Sequence, residues 1–564
     1  MLNRICYQMI LFSFGMMAFF GIMLLSACFD SYQSSSSNVP ATTQPPRIIQ
    51  LQFLYDLEKK SWINDVTTQF NKTSPKISDG QIINVKAISE NSVKLIDELL
   101  SETHQAHLIS PASTALIKLG NAKSRVLTGK DMIGHTENLV LSPLVIALWE
   151  PMAKALGFPK KNIGWHDILA LAKNSQGWGT YHYPQWGQFK LGHPHPQHSN
   201  SGLLSLFTQV YAGVDKLSNL TVADVNQPST AAYLHDIQQT VAHYRQSSQF
   251  FFQELLDKSP KYLSAALLYE NQVVQSYQNH DMIVKLVAIY PSGGTLWSEH
   301  PIGIVKRDWV TPAHYEAARN YIDYLLAKPQ QEKALQYGFR PANVSVPLAT
   351  PIDASHGVNP QAPQATLEMP EVEVIKAIVK LWQQHKKPVN FTIVLDISGG
   401  MRGGKIRHAR STVSQLLKKI EDGNYISLLS FNNSFNWTAK TVLIKKHRER
   451  LQRQIKYQFT SGGTALYDAI NQAYDSLLKN PDKILAMVVF SDGEDSHSRL
   501  TFKELLSKVQ FDSEKGPIRI FTIGYGTQAE KNRLREMAIV SQGQFYDGTA
   551  TDTKKISRDI LAFF

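Results

Sequence analysis

"FTIVLDISGGMRGGKIRHARS" (391–411) runs an apolar strand into a glycine-rich turn and then into a helix. Gly399, followed after four residues by Gly404-Lys405, almost spells a phosphate-cradling loop. That loop needs Ser or Thr after the lysine to hold magnesium, and Ile406 stands there instead. Asp396 and Ser398, at the end of the strand, suit a hard metal ion better. Two other stretches meet that expectation. "FTSGGTALYDAI" (459–470) places Thr464 in a glycine-rich loop that opens a helix, and "MVVFSDGEDS" (487–496) ends a buried strand on Asp492.

Around these stretches lie the apolar runs "VNFTIVLD" (389–396), "YISLLSF" (425–431), "ILAMVVFSD" (484–492) and "IRIFTIGYG" (518–526), with helical stretches between them. Strands alternating with helices predict a doubly wound parallel sheet. Side chains at the carboxyl ends of its neighbouring strands converge on one crevice. Asp396, Ser398, Thr464 and Asp492 would there offer oxygen to magnesium, which takes about six ligands at about 2.0–2.1 Å.

Residues 389–564 resemble a von Willebrand factor type A domain, and these loops resemble its metal-ion-dependent adhesion site. The resemblance implies Mg2+, or Mn2+ or Ca2+, whose shell is completed by a carboxylate of a protein partner. The family's first loop reads Asp-x-Ser-x-Ser, whereas this chain reads Asp396-Ile397-Ser398-Gly399-Gly400. Gly400 removes one direct ligand, which a water would have to replace. A metal-free domain in which Asp396 only caps the turn is the alternative. The run "KKHRERLQRQIK" (445–456) holds six Lys and Arg around Glu449. It reads as a solvated helix face or as a surface for an anionic partner or membrane.

The whole chain has 564 residues, room for two or three domains. At 43% apolar and 19% charged residues it is of globular composition. Its balance is basic, +11, which favours anionic surroundings, but no nucleic-acid-binding motif accompanies the charge. The opening "MLNRICYQMILFSFGMMAFFGIMLLSAC" (1–28) has the charge and apolar run of an export signal. Its end, Leu25-Ser26-Ala27-Cys28, resembles the lipobox of bacterial lipoproteins, which implies that Cys28 carries a lipid. An uncleaved membrane-spanning anchor is the alternative. Either way the body lies in the cell envelope, facing the periplasm or exterior. Residues 29–46, rich in Ser, Thr, Pro and Gln, read as a disordered tether.

From residue 47 to 347 the texture is again βαβ: "IIQLQFLYD" (48–56), "KSWINDVTTQFNKTS" (60–74) and "IINVKAI" (82–88) give strand, helix, strand. About 300 residues allow two lobes with a cleft between them. Residues 348–388 read as a linker ending in a short amphipathic helix. In order along the chain, "HLISPASTALI" (107–117), "LVLSPLVIALWE" (139–150), "GHPHPQHSNSGLLSLFTQVYAG" (192–213), "LYENQVV" (268–274), "LVAIYPSGGTLWSEHPIGIV" (286–305) and "YGFRPANVSVP" (337–347) resemble the bacterial extracellular solute-binding proteins that feed ABC importers. The expected fold is therefore α/β: a two-lobed periplasmic-binding-protein-like domain followed by a doubly wound, Rossmann-like von Willebrand factor type A domain.

Two helix starts in the first domain carry hydroxyls beside free amides, through Ser110 and Ser113 and through Ser199, Asn200 and Ser201. Helix starts bind anions, so a pair facing one cleft suits an oxyanion or a carboxylate; ordinary N-capping is the alternative. Tyr269 and Glu270 lie in a stretch that borders the cleft in relatives. Glu270 argues against an anionic ligand unless it pairs with a cation or a backbone amide. His193, His195 and His198 tempt a zinc reading, but irregular spacing and the lack of an acidic or thiol ligand nearby favour surface or cleft-lining histidines. Nucleophile-elbow, His-Glu-x-x-His and dinucleotide signatures are absent, so no catalysis is expected. The expected function is metal-dependent adhesion joined to small-solute binding. The alternative is an importer's solute receptor with the C-terminal domain as scaffold.

Overall fold

The computed structural model describes residues 47–279, 281–512 and 518–564. The expected signal peptide, Cys28 and the expected tether lie outside the described residues. No helix among the described residues is long and apolar enough to cross a membrane.

The first sheet runs in the order Ile82–Glu90, Ile48–Asp56, Leu108–Ser110, Pro301–Val305 and Ile133–Asn138. The first three strands are parallel, and Pro301–Val305 is antiparallel to both of its neighbours. The second sheet is built on Val140–Trp149, which is buried along nearly its whole length. That continuous apolar run is what a strand covered on both faces requires. It pairs antiparallel with Ala265–Tyr269, Leu286–Ile289, Trp297–Ser298 and Arg340–Pro341. Beyond Ala265–Tyr269, Leu191–Pro194 and Val241–Arg245 continue the sheet in parallel.

One or two residues carry the chain from one sheet to the other. Leu139 alone separates Ile133–Asn138 from Val140–Trp149, and Glu299-His300 separate Trp297–Ser298 from Pro301–Val305. The two crossings lie side by side, with the Leu139 amide donating to His300 O at 3.2 Å. In a two-lobed fold joined by such crossings, the strand ends are where the ligand cleft is expected.

The C-terminal sheet has the order Phe435–Leu443, Tyr425–Phe431, Val389–Asp396, Ile484–Ser491, Arg519–Gly524 and Phe545–Asp547. All its pairs are parallel except that of the hairpin strand Phe435–Leu443. Every residue of Val389–Asp396 and Ile484–Ser491 is buried. The strand order reverses between these two, which makes their carboxyl ends the switch point where such folds bind ligands.

Residues 348–388 differ from a free linker: they are strapped to the body. Ile352, Val358 and Leu367 are buried, and so are five residues of the helix Val372–His385. Trp382, fully buried, donates from Nε1 to Gln238 Oε1 at 3.1 Å. Residues 47–564 accordingly make one compact unit. At the seam, buried Arg519 of the C-terminal sheet donates to His243 Nδ1 at 3.0 Å and to the Tyr262 hydroxyl at 3.3 Å. The Tyr244 amide donates to Phe563 O at 3.3 Å, and the Arg245 guanidinium lies 3.9 Å from the centre of the Phe563 ring.

Candidate functional site

Asp396 closes the central strand of the C-terminal sheet and is wholly buried. Its Oδ1 accepts the Ser398 amide at 2.8 Å, and its Oδ2 accepts the Ser491 hydroxyl at 2.6 Å from the neighbouring strand. Asp492 follows Ser491 directly, so both carboxylates stand at one end of the sheet. Gly493, at φ +87°, makes the turn after Asp492, a conformation other residues rarely adopt. The loop carrying Thr464 is tied to the first loop: Ser461 N donates to Ile397 O, and Gly399 N to Gly462 O, each at 2.9 Å. Thr464 is buried there, its amide donating to Ser496 Oγ at 3.1 Å. The three loops are thus bonded to one another at the switch point.

Two features bear on whether these residues fit a cation. Ser398 Oγ is buried and makes no well-formed hydrogen bond among the described residues, although it lies near enough to the Asp396 carboxyl to favour its charged form. A buried hydroxyl so weakly met costs free energy unless a ligand meets it. Burial pushes the Asp396 carboxyl up to about 6, with Asp492 adding to the push and hydrogen bonds from Ser491 and Ser398 opposing it. A divalent ion would satisfy the hydroxyl and neutralise the carboxylates, so the donor set fits a hard cation. Gly400 marks the departure from the family loop. A Cβ there would lie 2.5 Å from Asp492 Oδ2, so the Asp492 carboxylate fills the space of the absent side chain. Lys405 completes the surroundings, its Nζ 3.0 Å from the same Oδ2. Its sequence signal was the lysine of the near-phosphate loop.

In the first domain, Ser110, Ser113, Ser199, Asn200, Ser201 and Tyr269 are all buried. Ser113 does not cap its own helix, Thr114–Thr128. Its hydroxyl reaches across the lobes to Asn200 Oδ1 at 2.5 Å, and Asn200 Nδ2 donates to the Tyr269 hydroxyl at 2.7 Å. Ser199 does cap, accepting the Gly202 amide at 3.4 Å, and shares a 2.7 Å hydrogen bond with Ser201. Ser110 lends its carbonyl to Lys59 Nζ at 3.1 Å.

Glu270 points elsewhere. Both of its oxygens are held by Arg340, from Nε at 2.7 Å and Nη2 at 2.6 Å. Its charge is therefore paired, the condition under which it does not oppose an anionic solute. The start of Thr114–Thr128 is also taken, since the Thr114 amide donates to Glu299 Oε2 at 3.4 Å.

Charged groups at the end of the first strand escaped the sequence reading. Donor atoms of Asp56, Glu58 and His300 lie within 4.8 Å of one another. Lys59 Nζ stands 2.9 Å from His300 Nδ1. Burial lowers the Lys59 ammonium to about 8 against the pull of Asp56 and Glu58. Burial, then Asp56, raises the Glu58 carboxyl well above the usual range. Glu58 also crosses the cleft, accepting the Ser248 hydroxyl at 2.9 Å. The available signal was "YDLEKK" (55–60) at the carboxyl end of a parallel strand, where open α/β sheets place their ligands.

His193 and His195 are buried rather than on the surface. His193 is spanned by Pro194 O at 2.6 Å and Gln209 Nε2 at 3.0 Å. His195 packs against His198, Tyr244 and Trp382.

The sequence profile of bacterial extracellular solute-binding proteins matches residues 52–340, slightly over half of the chain. That of the von Willebrand factor type A domain matches residues 390–559. Inter-alpha-trypsin inhibitor heavy chain H1 of Bos taurus is 24% identical over 164 residues, which cover 28% of this chain and 18% of that protein. The chain thus spans less than a fifth of this curated relative. Among solved structures, the sulfate-binding protein SubI from Mycobacterium tuberculosis H37Rv is 16% identical, with a TM-score of 0.37, covering 52% of this chain and 88% of its own. The periplasmic binding protein P5PA is 14% identical, with a TM-score of 0.41, covering 60% and 99%. With its α/β architecture and both profiles in sequence, the chain belongs to the bacterial extracellular solute-binding proteins and carries a von Willebrand factor type A domain behind the solute-binding one.

Proposed function

We propose that this protein is a lipid-anchored, extracytoplasmic binding protein that adheres through its C-terminal domain and holds a small solute in its N-terminal cleft. The adhesion site binds Mg2+, Mn2+ or Ca2+ through Asp396, Ser398, Thr464 and Asp492, and a carboxylate of a protein partner completes the shell. The observation that carries this reading is that the loops bearing Asp396, Ser398, Thr464 and Asp492 are hydrogen-bonded to one another at the switch point, around a buried Asp396 carboxyl raised by its burial and by Asp492. Exposed Phe435, Tyr457 and Phe459 lie near the site loops in sequence, and such aromatic side chains are enriched in protein interfaces. Of the basic run, Arg448 turns inward to Ile420 O at 2.6 Å, while Lys445, Arg450 and Arg453 remain partly or fully open to solvent.

The solute is small and polar, bound beside Ser113, Asn200 and Tyr269, which are hydrogen-bonded in a chain, with Ser110, Ser199 and Ser201 as further candidate contacts. An oxyanion or carboxylate draws support from the Lys59 ammonium, whereas the start of Asn200–Val214 has its Gly202 amide already taken by Ser199. Asp56 and Glu58 favour a solute that also carries a positive group. The anchor is Cys28, read from the sequence alone. The test is capture of envelope proteins on the immobilised mature chain with Mg2+ and with EDTA. Capture that requires Mg2+ and fails in Asp396→Asn supports adhesion; capture that survives EDTA removes it. The docking of Arg519 on His243 also suits the rival reading, an importer's receptor braced by a scaffold. Loss of solute uptake on deleting the gene would favour that rival.

A further inference from the structure

Lys405 sits in the first turn of the helix Gly404–Lys419. An ammonium there faces the positive end of the helix dipole, which is unfavourable. Something else must hold it, and the contact present is Asp492 Oδ2 at 3.0 Å. Asp492 is nearly buried, with 4% of its side chain exposed, whereas Lys405 is 36% exposed and has solvent to swing into. The same Oδ2 occupies the space that a side chain at Gly400 would need. One oxygen therefore sits where the adhesion loop departs from its family and where a lysine reaches in.

We propose that Lys405 is a tethered cation that competes with the divalent ion for Asp492, so that the metal enters only as the ammonium leaves. The inference rests on the metal reading of the preceding section. An ammonium and a divalent ion that share one carboxylate repel each other at short range, and the repulsion is strongest where water is excluded. The lysine thus lowers metal affinity in the resting site. Once displaced, its charge stands at the rim, where a partner's carboxylate would arrive, so the cost of displacement is returned when the partner docks. Metal and partner would then bind cooperatively.

The test is calorimetric titration of Mn2+ into the full soluble chain and its Lys405→Met, Lys405→Arg and Lys418→Met variants. Lys405→Met should tighten Mn2+ binding by about tenfold, equivalent to about 1.4 kcal/mol. Lys405→Arg, which keeps the charge, and Lys418→Met, which removes an exposed charge from the same helix, should bind as the parent does. If the parent binds Mn2+ and Lys405→Met binds it no more tightly, the competition is refuted while the metal site stands. If neither protein binds Mn2+, the metal reading falls and the competition with it. Thermal melting of each variant without metal separates misfolding from lost binding.

Discussion

Arg519 Nη2 donates a hydrogen bond to His243 Nδ1 at 3.0 Å, joining the C-terminal sheet to the second lobe of the solute-binding domain. The guanidinium is buried, and it also bonds the Tyr262 hydroxyl and Gln542 O. Arg519→Met should therefore destabilise the chain by about 2–3 kcal/mol, because buried partners lose their donor. It should also split thermal unfolding into two transitions as the domains part. Differential scanning calorimetry reads both effects, and a single unshifted transition would contradict them.

Asn200 joins the lobes through Ser113 and holds Tyr269 within its own lobe. Asn200→Ala removes both bonds and should favour the open cleft by about 1–2 kcal/mol. Small-angle scattering should show a larger radius of gyration, and amides at the start of Thr114–Thr128 should exchange faster with solvent.

Acid should unfold the protein early. Burial holds His193 at about 4 and His243 at about 3, below the value of about 6.5 expected in the unfolded chain. Between those values the unfolded state binds more protons than the folded one. Stability is thus intact above about pH 6.5 and falls as pH drops toward 4, by about 1.4 kcal/mol per unit for each histidine. Urea midpoints at pH 7 and pH 5 measure the slope, and His193→Gln should flatten it.

Restoring the family's hydroxyl with Gly400→Ser should strengthen metal binding more than removing Lys405 does. The new Cβ would lie 2.5 Å from Asp492 Oδ2, so the carboxylate must rotate away from the ammonium while a ligand oxygen is added. Titration with Mn2+ decides the order of the two variants.

The C-terminal fold was legible because its central strands are buried on both faces and so read as unbroken apolar runs. Asp396 and Asp492 were legible because each ends such a run. The role of Lys405 was not, since its partner lies 87 residues away and only the folded sheet brings them together. Arg340 reaches Glu270 over 70 residues, for the same reason. In the first domain Asp56 ends the first strand and Glu58 and Lys59 follow it within three residues, but short charged runs are common at helix starts and so carry little signal beside the serine-rich ones. Residues 349–370 are rich in Pro and Ala, and composition hides that Val358 and Leu367 are buried against the body.

The strand Val241–Arg245 has a double attachment. His243 and Arg245 meet Arg519 and Phe563 of the C-terminal domain, while Ser248, three residues beyond the strand, grips Glu58 on the opposite lobe. Whatever pulls the lobes together would tug on the same short segment that seats the C-terminal domain, so closure of the first domain and the setting of the second would be parts of one stroke.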